Sequence, residues 1–128
     1  MKRKIIFRGK NTQNGKWYHG DLRQLSFGET HIVYGECISA PVDSESVGQY
    51  TGLKDKNGKE IFEGDILAHD GKVIGHVVGG VRGYCYDVIY KNPRYDPSWS
   101  LYGTVVNDYK GNVEVVGNVI DNNDLLIS

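Results

Sequence analysis

At 128 residues the chain has the size of one ordinary domain, or of two small ones that share a core. Its 39% hydrophobic and 24% charged residues are the balance of a globular protein, and 17 glycines with nine tyrosines favour strands and tight turns over helices. No apolar run reaches the length of a membrane-spanning helix, and Lys2-Arg3-Lys4 is followed by only Ile5-Ile6-Phe7 before charge returns, so a cytoplasmic location and no membrane contact are expected.

Residues 4–9 and 16–22 read as a first hairpin around Asn14-Gly15, with Phe7 and Trp17 available for packing. Residues 30–40, THIVYGECISA, alternate loosely and read as a single third strand with a bulge at Gly35. The segment 41–46, PVDSES, is the best linker, with a short helical turn able to start at Asp43 or Ser44. A boundary there divides the chain into an N-terminal β lobe, 1–47, carrying a basic hairpin arm, and a second lobe, 48–128, the two forming one cooperative unit.

The second lobe opens with GQYTGLKDKNGKEIFEGDIL, residues 48–67, the stretch on which the chain is organised. Asn57-Gly58 tolerates positive φ at both centres of a type I′ turn, which pairs Lys56 with Lys59 and Asp55 with Glu60. Those like-charged neighbours argue against perfect pairing there, and a type I turn with a bulge at Gly58 is the competing geometry. Gly52, Asn57, Gly58, Gly64 and Asp65 are the residues expected to build this arm, with Gly64 as a corner and Asp65 binding nearby amides.

Further strands are expected over 65–69 and 72–78 around Asp70-Gly71, over 84–90, over 100–106 and over 113–120, with a short apolar tail at 125–127. The order Phe7-Arg8-Gly9, Asn14-Gly15-Lys16, Gly20-Asp21-Leu22 is echoed by Tyr50-Thr51-Gly52, Asn57-Gly58-Lys59, Gly64-Asp65-Ile66. The echo reads as two similar hairpin arms, each ending in a Gly-Asp corner, or as one turn solution used twice.

Charge is unevenly placed. Residues 1–24 hold seven basic side chains, Lys2, Arg3, Lys4, Arg8, Lys10, Lys16 and Arg23, against Asp21 alone, and the rest hold eight basic and fifteen acidic groups. A head of +6 on a body of −7 either binds something acidic, such as nucleic acid, or docks on the body of its own or a neighbouring chain. The acidity of the whole favours docking on protein.

The run QYTGLKDKNGKEIFEGDIL, the N-terminal FRGKNTQNGKWYHGDL and the closing VEVVGNVIDNNDLL together resemble the YopX family, small proteins of phages and prophages of Gram-positive bacteria. The resemblance implies an SH3-like barrel in the C-terminal part, a phage setting and self-association. It implies no activity, and no catalytic residue is carried over. Residues 23–47 and 68–107 match the family loosely.

Candidate chemistry is sparse. Tyr84, Tyr86, Tyr90, Tyr95, Trp99 and Tyr102 fall within nineteen residues and are interleaved with Lys91 and Arg94. Ring faces beside cations suit stacked bases, whereas alternating tyrosines also serve simply as the packed face of a strand. Lys2, Arg3, Lys4 and Arg8 with Tyr84, Tyr86, Tyr90, Tyr95 and Trp99 are the candidate binding surface. His69, Asp70 and His76, with Asp65 nearby, carry a remote alternative, a metal-dependent hydrolase. Cys37 and Cys85 follow no metal or redox spacing and are expected as reduced thiols. Gly79-Gly80-Val81-Arg82-Gly83 lacks the Gly-Lys-Ser/Thr ending of a phosphate loop. No catalytic constellation, metal or cofactor is therefore expected.

The expectation is an all-β protein with little helix, an N-terminal β-hairpin lobe joined to a small SH3-like barrel. It is taken as a non-enzymatic, self-associating accessory protein, with nucleic-acid binding as the runner-up.

Overall fold

The computed structural model describes residues 5–79, 86–91 and 98–127. Its elements are strands, apart from a 3-10 turn, a π-helical segment and one terminal α-helical turn. The chain separates into two compact units, Met1–Tyr50 and Thr51–Ser128.

In the first unit, β1 (Phe7–Lys10), β2 (Trp17–Gln24), β3 (Thr30–Gly35) and β4 (Ile38–Pro41) form an antiparallel meander. After the 3-10 turn Ser44–Ser46, β5 (Gly48–Lys54) returns to pair with β1, giving the order β4-β3-β2-β1-β5. Register aligns Leu22, Ile32 and Ala40 in one row across the sheet, and Ile32 and Ala40 are buried. These are five strands of a six-stranded sheet whose sixth strand lies beyond β5, and the expected hairpin supplies β1 and β2.

Two sequence readings are corrected in this unit. Residues 30–40 are two strands rather than one, because the chain reverses at Glu36-Cys37, where Cys37 takes φ +56. Gly35 does mark an irregularity, for the register shifts between Val33 and Gly35 as the strand enters that turn. Gly20-Asp21, read as a corner, lies inside β2, where Gly20 passes so close to the Val33 carbonyl that no Cβ fits.

The 41–46 segment is fastened to β1. Lys10 O accepts from Asp43 N at 2.9 Å, Ser46 Oγ accepts from Lys10 N at 2.8 Å, and Pro41 O accepts from Asn11 Nδ2 at 3.0 Å. Asp43 caps the 3-10 turn, its carboxylate accepting from Glu45 N at 3.1 Å. Because Val42 N donates inward to Thr30 O, alternation turns Ser39 and Pro41 of β4 toward the outer side. Pro41 has no N–H to offer there, and its carbonyl is already occupied.

The second unit repeats the path. Here β6 (Glu60–Phe62) lies beside β5, and then β7 (Asp65–His69), β8 (Lys72–Val78), β9 (Asp87–Tyr90) and β10 (Ser98–Ser100) form a meander. A π-helical segment, Gly103–Asp108, precedes β11 (Glu114–Asn118), which goes back to pair with β7. The resulting order is β10-β9-β8-β7-β11, and the first five strands of the other sheet, β4-β3-β2-β1-β5, follow the same order, with β6 added beyond β5. Neither sheet closes on itself among the described residues. The sequence echo, by contrast, aligns β1 and β2 with β5 to β7, so it repeats a turn and not this path.

Alternation builds the core of this unit. Ile61, Leu67, Val77, Val88, Leu101, Val105, Val113 and Val115 are buried together, with Leu53, Ile74, Tyr86, Tyr90 and Tyr109 packed around them. Each fully buried aliphatic side chain contributes about 1.5–3 kcal/mol through removal of its surface from water.

The hairpin over 48–62 takes the bulged geometry, correcting the two-residue I′ reading. Asp55 N donates to Lys59 O at 2.8 Å and Gly58 N to Asp55 O at 3.0 Å, with φ +81 at Gly58 and no positive φ at Asn57. Asp55 rather than Lys56 thus faces Lys59, which removes the like-charged pair. Lys56 meets Glu114 at 3.4 Å instead.

Asp55 is the centre of this arm. Its Oδ1 accepts from Asn57 N and Lys59 N, both at 2.9 Å, and its Oδ2 accepts from Val115 N at 3.0 Å. Burial raises its pKa, but the amides of Val115, Lys59 and Asn57 and the Lys59 charge outweigh that and leave it below the ordinary carboxylate value. Together with Lys56 N donating to Val113 O at 2.9 Å, the turn covers the outer side of β11.

Candidate interaction surface

The residues expected to build the 48–67 arm hold it in place. Gly52, Gly58 and Gly64 have φ values of +90, +81 and +94. Asn57 sits in the turn, and Asp65, buried at the start of β7, accepts from Phe62 N at 2.7 Å through Oδ2.

Lys2, Arg3, Lys4, Tyr84 and Tyr95 lie outside the described residues. Arg8, expected on an open basic surface, is only 8% exposed, its guanidinium 5.0 Å from the centroid of the Trp17 ring. Tyr86 and Tyr90 are half-buried against the core of the second unit. Trp99 and Tyr102 remain exposed, at 42% and 60%.

Tyr102 lies on a helical segment where a strand was expected over 100–106, and Trp99 lies in β10 just before it. Ser100 ends β10 and turns the chain. Its Oγ accepts from Gly103 N at 2.9 Å, and its carbonyl accepts from Thr104 Oγ1 at 3.0 Å. Tyr109 N then donates to Thr104 O at 3.1 Å, the i to i+5 bond of a π-turn. Leu101, Thr104 and Val105 are buried at helical spacing, which leaves Tyr102 and Val106 on the outer side. Gly103 is required because the Trp99 indole lies over it: a Cβ there would sit 2.5 Å from Trp99 Nε1 and 2.8 Å from Ser100 Oγ.

The inner side of the segment is polar and tight. Tyr90 and Thr104 share a hydroxyl–hydroxyl hydrogen bond at 2.7 Å, and Thr104 is fully buried. Burial raises the Tyr90 phenol above its ordinary value, over the opposing Thr104 hydrogen bond, and the nearby Asp108 charge adds to the rise. Trp99, Tyr102 and Val106 thus form a ledge of exposed apolar and aromatic surface.

The histidines stay apart. His69 Nδ1 lies 2.7 Å from Asn112 O and Nε2 3.2 Å from Asp70 Oδ2, while the ring packs on Tyr109 at 4.7 Å between centroids. His69 pairs across the turn with Lys72, and His76 pairs with Ile66 further along. Burial lowers the His76 pKa. Among the described residues no three His, Cys, Asp or Glu side chains come together as a metal site.

Sequence reasoning missed Asp55, Gly103 and Val106. The buried spacing 101, 104, 105 was the available signal for the last two, and Asp55, two residues ahead of Asn57, for the turn.

These features define a two-unit, all-antiparallel β protein whose most distinctive surface is a ledge of aromatic side chains. A family model described as "YopX protein" matches residues 6–127, so the chain belongs to the YopX family. No curated protein matches the chain. Among solved structures it is similar to the crystal structure of protein EF1440 from Enterococcus faecalis, at 21% identity and a TM-score of 0.48, over 98% of this chain and 99% of that one.

Proposed function

We propose that this YopX-family chain is a non-enzymatic accessory protein of a phage or prophage, acting in the host cytoplasm by associating with further copies of itself. The observation that carries this reading is the Trp99, Tyr102, Val106 ledge, apolar surface held outward by a hydrogen-bonded segment instead of being folded in. Exposed aromatic side chains are the kind that anchor protein interfaces. The charge asymmetry supports a second copy as the partner, since each molecule carries both a basic head and an acidic remainder.

The strand order of the second unit, four strands in a meander and a fifth that returns after a helical turn, supports a small SH3-like barrel as its fold class. On this reading no side chain does covalent chemistry, and the surface acts by contact.

Molar mass in solution by light scattering, at low and at high salt, tests the proposal. The expected result is an oligomer that dissociates as salt rises, because screening weakens charge-led contacts. A monomer at every salt concentration would overturn it.

A further inference from the structure

We propose that Asn57 is a site of spontaneous covalent modification, where the side-chain amide is converted to an acid through a cyclic imide formed with Gly58. The chain holds two Asn-Gly pairs, and both begin the same tripeptide, Asn14-Gly15-Lys16 and Asn57-Gly58-Lys59. Glycine has no Cβ to keep its backbone nitrogen away from the preceding side chain, so a close approach to the asparagine Cγ meets no steric obstacle. With the same residues following, the sequence makes the two pairs equally reactive. The fold separates them.

The two turns agree in most respects. Both asparagines and both glycines are exposed, and outside the chain neighbours nothing lies within 4 Å of a Cβ built at either glycine. Each glycine amide donates to a carbonyl, Gly15 N to Asn11 O at 2.8 Å and Gly58 N to Asp55 O at 3.0 Å. Each asparagine N–H donates to a side-chain oxygen, Asn14 N to Asn11 Oδ1 at 3.1 Å and Asn57 N to Asp55 Oδ1 at 2.9 Å. The reacting side chains differ. Asn14 Oδ1 accepts from Lys16 N at 2.9 Å, and Asn14 Nδ2 donates to Tyr18 Oη at 3.1 Å. Among the described residues the Asn57 carboxamide has no hydrogen-bond partner, its one bond being made by the backbone N. Asn14 must therefore give up both side-chain bonds before its Cγ can turn to Gly15 N, and Asn57 gives up none.

The step needs only water. Gly58 N gives its proton to water and attacks Asn57 Cγ, the bond from Cγ to Nδ2 breaks, and Nδ2 leaves as ammonia. Water then adds to either carbonyl carbon of the imide, and the bond from that carbon to nitrogen breaks. One opening leaves aspartate at position 57, and the other leaves isoaspartate, in which the main chain runs through Cβ. A negative charge is gained, and nothing is oxidised or reduced.

The consequence falls on Asp55. Isoaspartate lengthens the main chain between Asn57 N and Lys59 N, the two amides that Asp55 Oδ1 accepts, and either product sets a second carboxylate close by. The same turn is tied to β11 by Asp55 Oδ2 and Val115 N, so ageing at Asn57 weakens the second unit.

Wild-type protein aged in mildly alkaline buffer, cut after glutamate and mapped by mass spectrometry, tests this. Cleavage after Glu29 frees residues 1–29, and cleavage after Glu45 and Glu60 frees residues 46–60. Conversion of amide to acid is expected at Asn57 well ahead of Asn14, with isoaspartate detected by enzymatic methylation. In guanidinium, where neither turn exists, the two sites are expected to convert at equal rates. Equal rates in the folded protein, a lead at Asn14, or no conversion at Asn57 overturns the assignment, and a gap that persists in guanidinium overturns its structural cause. The urea midpoint of the wild type is expected to fall in step with the converted fraction, whereas Asn57→Ser aged alongside keeps its own. Converted protein with an unchanged midpoint overturns the consequence drawn for the second unit.

Discussion

Replacing Asp55 tests how the second unit is held together. One carboxylate accepts three backbone amides, two within its own turn and the third from Val115, sixty positions along the chain. Asp55→Asn keeps an oxygen for the two turn amides but turns an NH2 toward Val115 N, so donor faces donor. Hydrogen bonds to charged groups contribute about 1.5–3 kcal/mol each, and a buried donor left without an acceptor costs about 1–3 kcal/mol. The expected loss is therefore roughly 2 kcal/mol for Asp55→Asn, and for Asp55→Ala, which frees all three amides, roughly 3–4 kcal/mol. Against a typical total of about 5–15 kcal/mol, either change is plain in a urea titration.

The sign with pH follows from the same contacts. The folded-state pKa of Asp55 lies below the ordinary carboxylate value of 3.8, so its contribution is complete well above 3.8 and is lost as pH falls through the folded value. Wild type and Asp55→Asn should differ most near neutral pH and converge in strong acid. A urea midpoint for Asp55→Asn equal to that of the wild type at pH 7 would refute the role given to this carboxylate.

Two further outcomes are expected, besides those set out above for assembly. Gly58→Val places a β-branched residue at φ +81 and should cost on the order of 1–2 kcal/mol, read as a lower melting temperature, although open space surrounds the site. An unchanged melting temperature would contradict the bulged turn. Burial lowers the His76 pKa below 6.5, so stability that is complete above pH 6.5 should decline as pH falls toward the folded value, where the unfolded chain takes up the proton first. His76→Gln should flatten that decline, and parallel pH profiles for the two proteins would argue against it.

Local chemistry made some of this fold legible. Asn-Gly announced the hairpin, and the clash of like charges beside it left the bulged form, which the chain adopts, as the alternative to the I′ turn. Alternation from Tyr86 to Tyr90 showed one face of β9, and Tyr86 and Tyr90 do pack on the core. The segment after Ser100 was harder, because Thr104, Val105 and Val106 are β-branched and read as strand, while the cap at Ser100 and burial at 101, 104 and 105 impose a helical path. The reversal at Glu36-Cys37 has no Asn or Gly in its tightest position, so nothing in composition marked it.

Longer-range features were not legible at all. The return of β5 to β1 joins residues about forty positions apart and that of β11 to β7 residues about fifty apart, and neither strand carries a local mark of its partner. The same holds for the third bond of Asp55. The candidate surface was half legible, since the aromatic residues are visible in the sequence while the division into packed and exposed rings depends on the π-turn.

The outer rows of the two sheets bear on how this protein behaves when crowded. An open strand edge is a template on which another chain can lay its own backbone, and stacks built that way grow without limit and resist salt. In the first unit Pro41 withholds a donor at that edge and Asn11 occupies the neighbouring carbonyl, while in the second unit the Asp55 turn sits on Val113 and Val115. Backbone pairing of the kind that leads to fibre-like growth is thereby disfavoured at these edges.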